Sequence, residues 1–190
     1  MNNPGQPTII RLTPAEVDYV AGEAVSRTER RTGSRWTDTL GAAQDTMDYI
    51  GCVGEYAAHK WLFRKPLVFQ DWSLKTRKSN MIVNGHTIRI TTTRRAKREL
   101  LWAKENSKGE PRELERAEFM LLCHDQGGGA VEIVGWMPVW VFYKRATMQP
   151  VKKYPGRQNY TYPGMDMMQA WSFPLALSDF FTWTDEDEAA

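Results

Sequence analysis

The stretch SNMIVNGHTIRITTT, residues 79–93, carries the pattern that decides the fold of this 190-residue chain. Asn84 and Gly85 suit the two-residue type I′ turn of a β-hairpin, and the residues on both sides of them are rich in strand-forming side chains. A two-residue turn fixes the register of the two strands, because it makes Val83 and His86 the first pair. The stretch therefore predicts a tight hairpin.

This register assigns the side chains of the hairpin to its two faces. It places Asn80 opposite Arg89, and side chains alternate from face to face along a strand. We therefore expect Asn80, Arg89 and Thr91 to lie together on one face. Ile88 and Ile90 then point to the other face, toward the core.

Two helices are predicted before the hairpin. Residues 13–32 open with a capping box, in which Thr13 caps the helix and Glu16 bonds back to it. A second helix is predicted at about residues 45–62. Its glycines 51 and 54 each cost a helix about 1 kcal/mol, so they indicate a close approach by another part of the chain.

The second helix also carries a candidate functional carboxylate. Glu55 and His59 are four residues apart and share a helix face. One interpretation is a surface pair, and the other is an inward carboxylate at a site.

Short apolar runs follow the hairpin. Residues 118–124, EFMLLCH, are typical of a buried central strand, and the glycine-rich stretch 127–129 predicts a turn into a further strand. Helices followed by several strands indicate an α+β (or α/β) fold, with a small mixed β-sheet flanked by helices. The length suits a single domain over residues 1–184, with its core at about residues 45–180 and an acidic tail at residues 185–190.

The net charge and the two cysteines further limit the classes of function that the sequence allows. Without the four carboxylates of the tail, residues 1–184 hold 25 basic and 19 acidic residues, a net charge of +6 that permits nucleic-acid binding. Cys52 and Cys123 lie in apolar segments and lack a metal-binding spacing, so we expect buried free thiols. With no apolar signal segment or membrane span in the sequence, we expect a cytoplasmic protein that does not bind a membrane.

Several segments, taken in order, resemble the PD-(D/E)XK nuclease superfamily, and in particular its small phage-type members. GCVGEYAAHKWL resembles the family's first helix, and SNMIVNGHTIRITTT resembles its central hairpin. AEFMLLCH and VEIVGWMP resemble the two strands that follow, and YTYPGMDMMQAW with PLALSDF resembles the closing segment. The resemblance covers about residues 45–180 and implies a restriction-endonuclease-like core.

The family cleaves phosphodiesters with Mg²⁺, which hard oxygen ligands hold. The resemblance places its helix Glu on Glu55, its Asp on Asn80, its Glu on Arg89 and its Lys on Thr91. Arg89 puts a fixed cation where the metal would bind, and at about 4 Å the repulsion amounts to several kcal/mol at an intermediate dielectric. We therefore predict an inactive site without a metal or another cofactor, in which Arg89 is free to pair with Glu55.

Basic residues cluster around this site in the sequence. Eight cations fall within residues 75–98, whereas the whole chain has 25 in 190 residues. Such a cluster either protects a sheet edge or binds phosphates in a salt-dependent way. We assign nucleic-acid binding, with DNA as the expected partner, to Lys75, Arg77, Lys78, Arg94, Arg95, Lys97 and Arg98.

Two other functions stay open at this point. The methionine- and aromatic-rich stretch YTYPGMDMMQAWSF either packs on the domain's own core or forms a contact surface, and a contact surface would indicate a factor that binds a host or phage protein. Alternatively, the chain is an active Mg²⁺-dependent nuclease whose ligands have moved to Asp71, Glu99 or Glu118. The sequence does not define an oligomeric state.

Overall fold

The computed structural model describes residues 7–32, 41–69, 80–94, 98–103, 117–150 and 158–173. Within these ranges three α-helices form: α1 (Pro14–Thr32), α2 (Gly41–Phe63) and α3 (Val139–Arg145). The strands are β1 (Thr8–Arg11), β2 (Asn80–Val83), β3 (His86–Thr93), β4 (Glu99–Ala103), β5 (Phe119–Gly127), β6 (Ala130–Pro138), β7 (Thr147–Pro150), β8 (Gln158–Pro163) and β9 (Met168–Gln169). None of the described helices is long and apolar enough to cross a membrane.

The strands form two sheets. In the main sheet the order is β1-β6-β5-β3-β2, and β9 adds to β6. Its β3–β5 pair is parallel and its other pairs are antiparallel, so the sheet is mixed. A second sheet has the order β4-β8-β7. The predicted α+β class is confirmed, whereas the second sheet was not predicted.

The hairpin forms with the predicted register. Asn84 and Gly85 both have positive φ angles, 52° and 83°, as a type I′ turn requires. Val83 pairs with His86. Each later pair follows from this one, and Asn80 lies opposite Arg89 as expected.

The two faces of the main sheet are covered by different layers. On one face, Ile88 and Ile90 are buried in the larger hydrophobic cluster together with residues of α1 and α2. On the other face, Met120 and Met137 are buried in a smaller cluster with Phe142 of α3 and with residues of the second sheet. We call these the helical face and the second face.

The position of α2 on the helical face depends on one glycine. A Cβ atom at Gly54 would lie only 1.8 Å from Oγ1 of Thr92, so only glycine allows this approach to β3. At Gly51 no atom of the described residues lies within 4 Å of the corresponding position. The expected close approach is therefore confirmed at Gly54 and wrong at Gly51.

The start of α1 forms as predicted. The backbone N–H of Thr13 donates to Oε2 of Glu16 at 2.7 Å, and the N–H of Glu16 donates to Oγ1 of Thr13 at 3.3 Å. Glu16 also accepts hydrogen bonds from Nζ of Lys60, at 2.8 and 2.9 Å, and from the hydroxyl of Tyr56. The capping box thus also holds α1 against α2.

Candidate nucleic-acid interface

Three of the four positions matched to the nuclease motif share one strand face. The Cα atom of Asn80 pairs with that of Arg89 across the hairpin. In the parallel pairing with β5, Arg89 lies beside Met120 and Thr91 lies beside Leu122, and both neighbours belong to the smaller hydrophobic cluster. Arg89 and Thr91 therefore lie on the second face, partly buried.

The fourth position, Glu55, lies in the helical layer. Its side chain is buried, with 3% of the residue exposed, and it accepts a hydrogen bond from Nη2 of Arg27 at 2.8 Å. Nε of Arg27 also donates to Glu23 at 2.9 Å. Burial alone would lower the pKa of Arg27, but the bond to Glu55 raises it above its usual value. The predicted Arg89–Glu55 pair is wrong, because Glu55 pairs with Arg27 of α1.

His59 does not join Glu55. Its Nδ1 lies 3.0 Å from the backbone oxygen of Lys65, and its ring packs against Phe63 with ring centroids 4.6 Å apart. Burial lowers the pKa of His59. The histidine stabilises the end of α2, and Glu55 alone is the inward carboxylate that the sequence allowed.

Of the seven basic residues assigned to nucleic acid, Arg94 and Arg98 are described. Lys75, Arg77, Lys78, Arg95 and Lys97 lie outside the described residues. Arg94 and Arg98 flank the end of the main sheet where β3 ends, and each is held by a buried carboxylate. They thus take fixed positions at the end of the strand that carries Arg89.

Arg94 lies on the helical face. Its Nε donates to Oδ2 of Asp125 at 2.7 Å, and its guanidinium lies over the ring of Tyr49, 5.4 Å from the centroid. Asp125 also accepts from the backbone N–H of Gly127 at 2.9 Å. The side chain of Arg94 nevertheless stays 42% exposed. The carboxylate and the ring therefore fix the guanidinium while leaving part of it open to a ligand.

Arg98 is held in the same way on the second face. Its Nη1 donates to Oε1 of Glu132 at 3.0 Å, and Nε2 of Gln126 donates to the other oxygen at 3.0 Å. Nδ1 of His124 lies 3.7 Å from that second oxygen. The Arg98 side chain is 45% exposed, and Glu132 is buried.

The two carboxylates that hold these arginines, Asp125 and Glu132, were not among the predicted site residues. Their signal is a charged residue within an apolar strand, since Glu132 stands in the run AVEIVG and Asp125 follows FMLLCH. A buried carboxylate requires a partner. The nearby arginines supply it, so each pair is locally neutral and holds its guanidinium in one place.

The proposed replacement carboxylates have different positions. Asp71 lies outside the described residues, and Glu99 is the first residue of β4. Glu118 accepts from the backbone N–H of Thr87 at 2.8 Å and lies 3.2 Å from Nδ1 of His86. Glu118 thus ties the beginning of β5 to the hairpin.

The described residues offer limited chemistry for a metal or a nucleophile. Within them, no three His, Cys, Asp or Glu side chains group closely enough to hold a metal ion. Cys52 and Cys123 are buried free thiols, as expected, and burial raises the pKa of each to about 12. A thiol with that pKa is a poor nucleophile near neutral pH.

Comparison with known proteins adds no relative. No protein-family model, no curated protein and no solved structure matches this chain.

Proposed function

We propose that this chain is a nuclease-like protein of the PD-(D/E)XK type that binds nucleic acid without cleaving it. The observation that carries the proposal is the place of Arg89. It lies opposite Asn80 and two residues from Thr91, in the frame where the family's strands carry metal-binding carboxylates. A guanidinium there opposes a divalent cation and attracts a phosphate.

The anchored arginines support the binding half of the proposal. An arginine whose guanidinium is fixed by a carboxylate loses little side-chain entropy when its exposed part meets a phosphate. Arg94 and Arg98 have this arrangement at the end of the sheet. Since both are neutralised locally, the long-range attraction comes from the other basic residues of the cluster.

A direct test of the binding half uses variants that remove charge. We expect Arg95→Gln/Lys97→Gln to weaken DNA binding several-fold at low salt. The slope of log affinity against log salt should fall by about 2, since each lost phosphate contact contributes about 1. The matched control is Arg11→Gln/Lys65→Gln, which removes the same charge from exposed positions outside the cluster. Equal effects of the two variants would show that only net charge matters.

The proposed lack of cleavage is tested by restoring the nuclease family's residues at the matched positions. The variant Asn80→Asp/Arg89→Glu/Thr91→Lys places two carboxylates on neighbouring strands, and such oxygen ligands suit Mg²⁺ or Mn²⁺. We expect Mn²⁺ to raise the thermal midpoint of this variant and to leave that of the wild type unchanged. Cleavage of plasmid by the wild type with Mn²⁺, lost in Glu118→Gln, would establish the active-nuclease alternative instead.

A protein-binding function is the second candidate. Large apolar side chains are exposed on α3, on β7 and in the segment after β8, including Trp140, Met148, Met165 and Met168. Methionine and tryptophan are enriched where proteins meet. A partner that binds this surface without loss of affinity at high salt, and in the absence of any nucleic-acid binding, would favour this candidate.

A further inference from the structure

A cavity of about 200 Å³ opens on the second face, beside α3. Met137 and Tyr162, both buried, form its floor, and Val141 of α3 forms a wall. Among the described residues, Arg145, Asp166 and Met168 are exposed at its rim. Pockets that enclose whole drug-sized ligands begin at about 300 Å³. This cavity therefore suits one group of a larger ligand.

The residues that line the cavity determine which kind of chemical group it can bind. An apolar floor with a tyrosine ring favours a flat ring over a charged group. The carboxylate of Asp166 at the rim repels a phosphate and accepts hydrogen bonds from N–H groups. Lys144 and Arg145 are exposed on α3, and neither forms an ion pair within the part of the chain that the structure describes. They offer positive charge next to a slot that takes a ring.

An aromatic side chain adjoins this positive charge. Trp140 is 67% exposed, and Lys144 follows it by four residues, so the two share a side of α3. Stacking of a base on an aromatic ring, with cations beside it, is how proteins hold single-stranded nucleic acid. A duplex keeps its bases stacked on each other and does not present them to a cavity.

The cavity and the proposed site lie on the same face. Arg89 lies beside Met120 of β5, and Met120 pairs with Met137 of β6, the floor of the cavity. Arg89 is therefore two strands from the cavity floor, about 10 Å at the usual strand spacing. One strand of nucleic acid is long enough to reach both with a few nucleotides.

We propose that this cavity is a subsite for one base of a single-stranded nucleic acid, with Lys144 and Arg145 on the neighbouring phosphates and Trp140 as a stacking surface for a second base. This subsite rests on the proposed function and narrows its ligand to single strands. It also gives a role to α3, which the nuclease resemblance leaves without one.

The test fills the cavity and leaves the rest of the surface intact. Val141→Phe places a ring inside it, and Val25→Phe is the matched control, because Val25 is exposed on α1. Binding is measured by anisotropy of a labelled single-stranded oligonucleotide and of a duplex with the same length. We expect Val141→Phe to weaken single-strand binding about tenfold, as for the loss of one stacked base. Duplex binding should change less than about twofold.

Arg145→Gln provides a second variant that is exposed and needs no repacking. It should weaken single-strand binding and reduce its salt slope by about 1. Circular dichroism and thermal midpoints like those of the wild type establish that each variant is folded.

The outcomes separate this proposal from the proposed function. Wild type that binds neither single strands nor duplexes at low salt overturns both. Binding of nucleic acid that Val141→Phe and Arg145→Gln leave unchanged overturns the subsite alone. A third outcome is that Val141→Phe abolishes binding of a purified protein partner and leaves the affinity for single strands unchanged. The cavity would then be a protein-docking site, and the subsite proposal would be overturned.

Discussion

The two faces of the main sheet are covered in different ways. The helical face is covered by two long helices, which bury the ion pair of Arg27 and Glu55. The second face has a smaller cluster under α3, and Trp140 of that helix is exposed. The contrast indicates that the helical face provides most of the stability and that the second face is available for ligands.

Among changes of charged residues, removal of Glu55 should have the largest effect on stability. Glu55→Ala leaves the guanidinium of Arg27 in a largely buried site with Glu23 as its remaining described ion-pair partner. Breaking a buried ion pair from one side typically costs about 3–5 kcal/mol, and we expect about 3 kcal/mol here, measured by urea unfolding.

The control for Glu55 removes both charges. Arg27→Met/Glu55→Leu replaces the pair by apolar side chains and should recover much of the lost free energy of unfolding. A Glu55→Ala protein that unfolds within about 1 kcal/mol of the wild type would contradict a structural role and return Glu55 to the list of site residues.

Alanine at Gly54 should have the next largest effect. The added methyl group collides with Thr92 of β3, and overpacking of this kind costs about 1–3 kcal/mol. Gly51→Ala is the matched control, since its methyl group meets no described residue and should stabilise α2 by up to about 1 kcal/mol. Two alanines on one helix thus change the free energy of unfolding in opposite directions, and equal effects would rule out the close contact of α2 with β3.

Local rules predicted much of this fold. The Asn84–Gly85 turn sets the register of the hairpin, because a two-residue loop permits one pairing. Thr13 and Glu16 form their capping box within four residues of sequence. Each of these features depends on neighbouring residues, so the sequence alone contains its cause.

The arrangement of the candidate site depends on contacts between residues far apart in the sequence, which local sequence patterns do not predict. Glu55 finds Arg27 on another helix, 28 residues earlier in the chain. The second sheet pairs β4 with β8 across about 60 residues. This long-range pairing decides which face of the main sheet carries the cavity. The sequence could therefore predict on which face of its strand Arg89 lies, but not how far Arg89 is from α3.

Protonation of Glu16 should have a smaller effect. Partial burial raises its pKa, but hydrogen bonds from Lys60, Thr13 and Tyr56 outweigh this and lower the pKa from 4.5 to about 2. A lowered pKa means that the ionised form stabilises the fold above about pH 4.5, and that this stabilisation is lost as the pH falls toward 2.

Glu16→Gln isolates this contribution. Allowing for solvent screening at a partly exposed pair, wild type should exceed the variant by about 1–2 kcal/mol at neutral pH in urea unfolding. The difference should shrink steadily below pH 4.5. A constant difference down to about pH 2 would mean that the carboxylate stabilises α1 by its shape and not by its charge.

Replacement of Trp140 should have the smallest effect on stability and thereby gives the sharpest contrast between the two faces. The indole is 67% exposed on α3, so Trp140→Ser removes little buried surface, and the free energy of unfolding should change by less than about 0.5 kcal/mol. Phe142→Ala, two residues further along the helix and fully buried in the smaller cluster, should cost about 3–5 kcal/mol. If Trp140→Ser cost as much as Phe142→Ala, the indole would be part of the packed core and would not be available to stack on a ligand. A folded Trp140→Ser protein that binds single-stranded nucleic acid more weakly than the wild type would show that Trp140 contributes to binding and not to the stability of the fold.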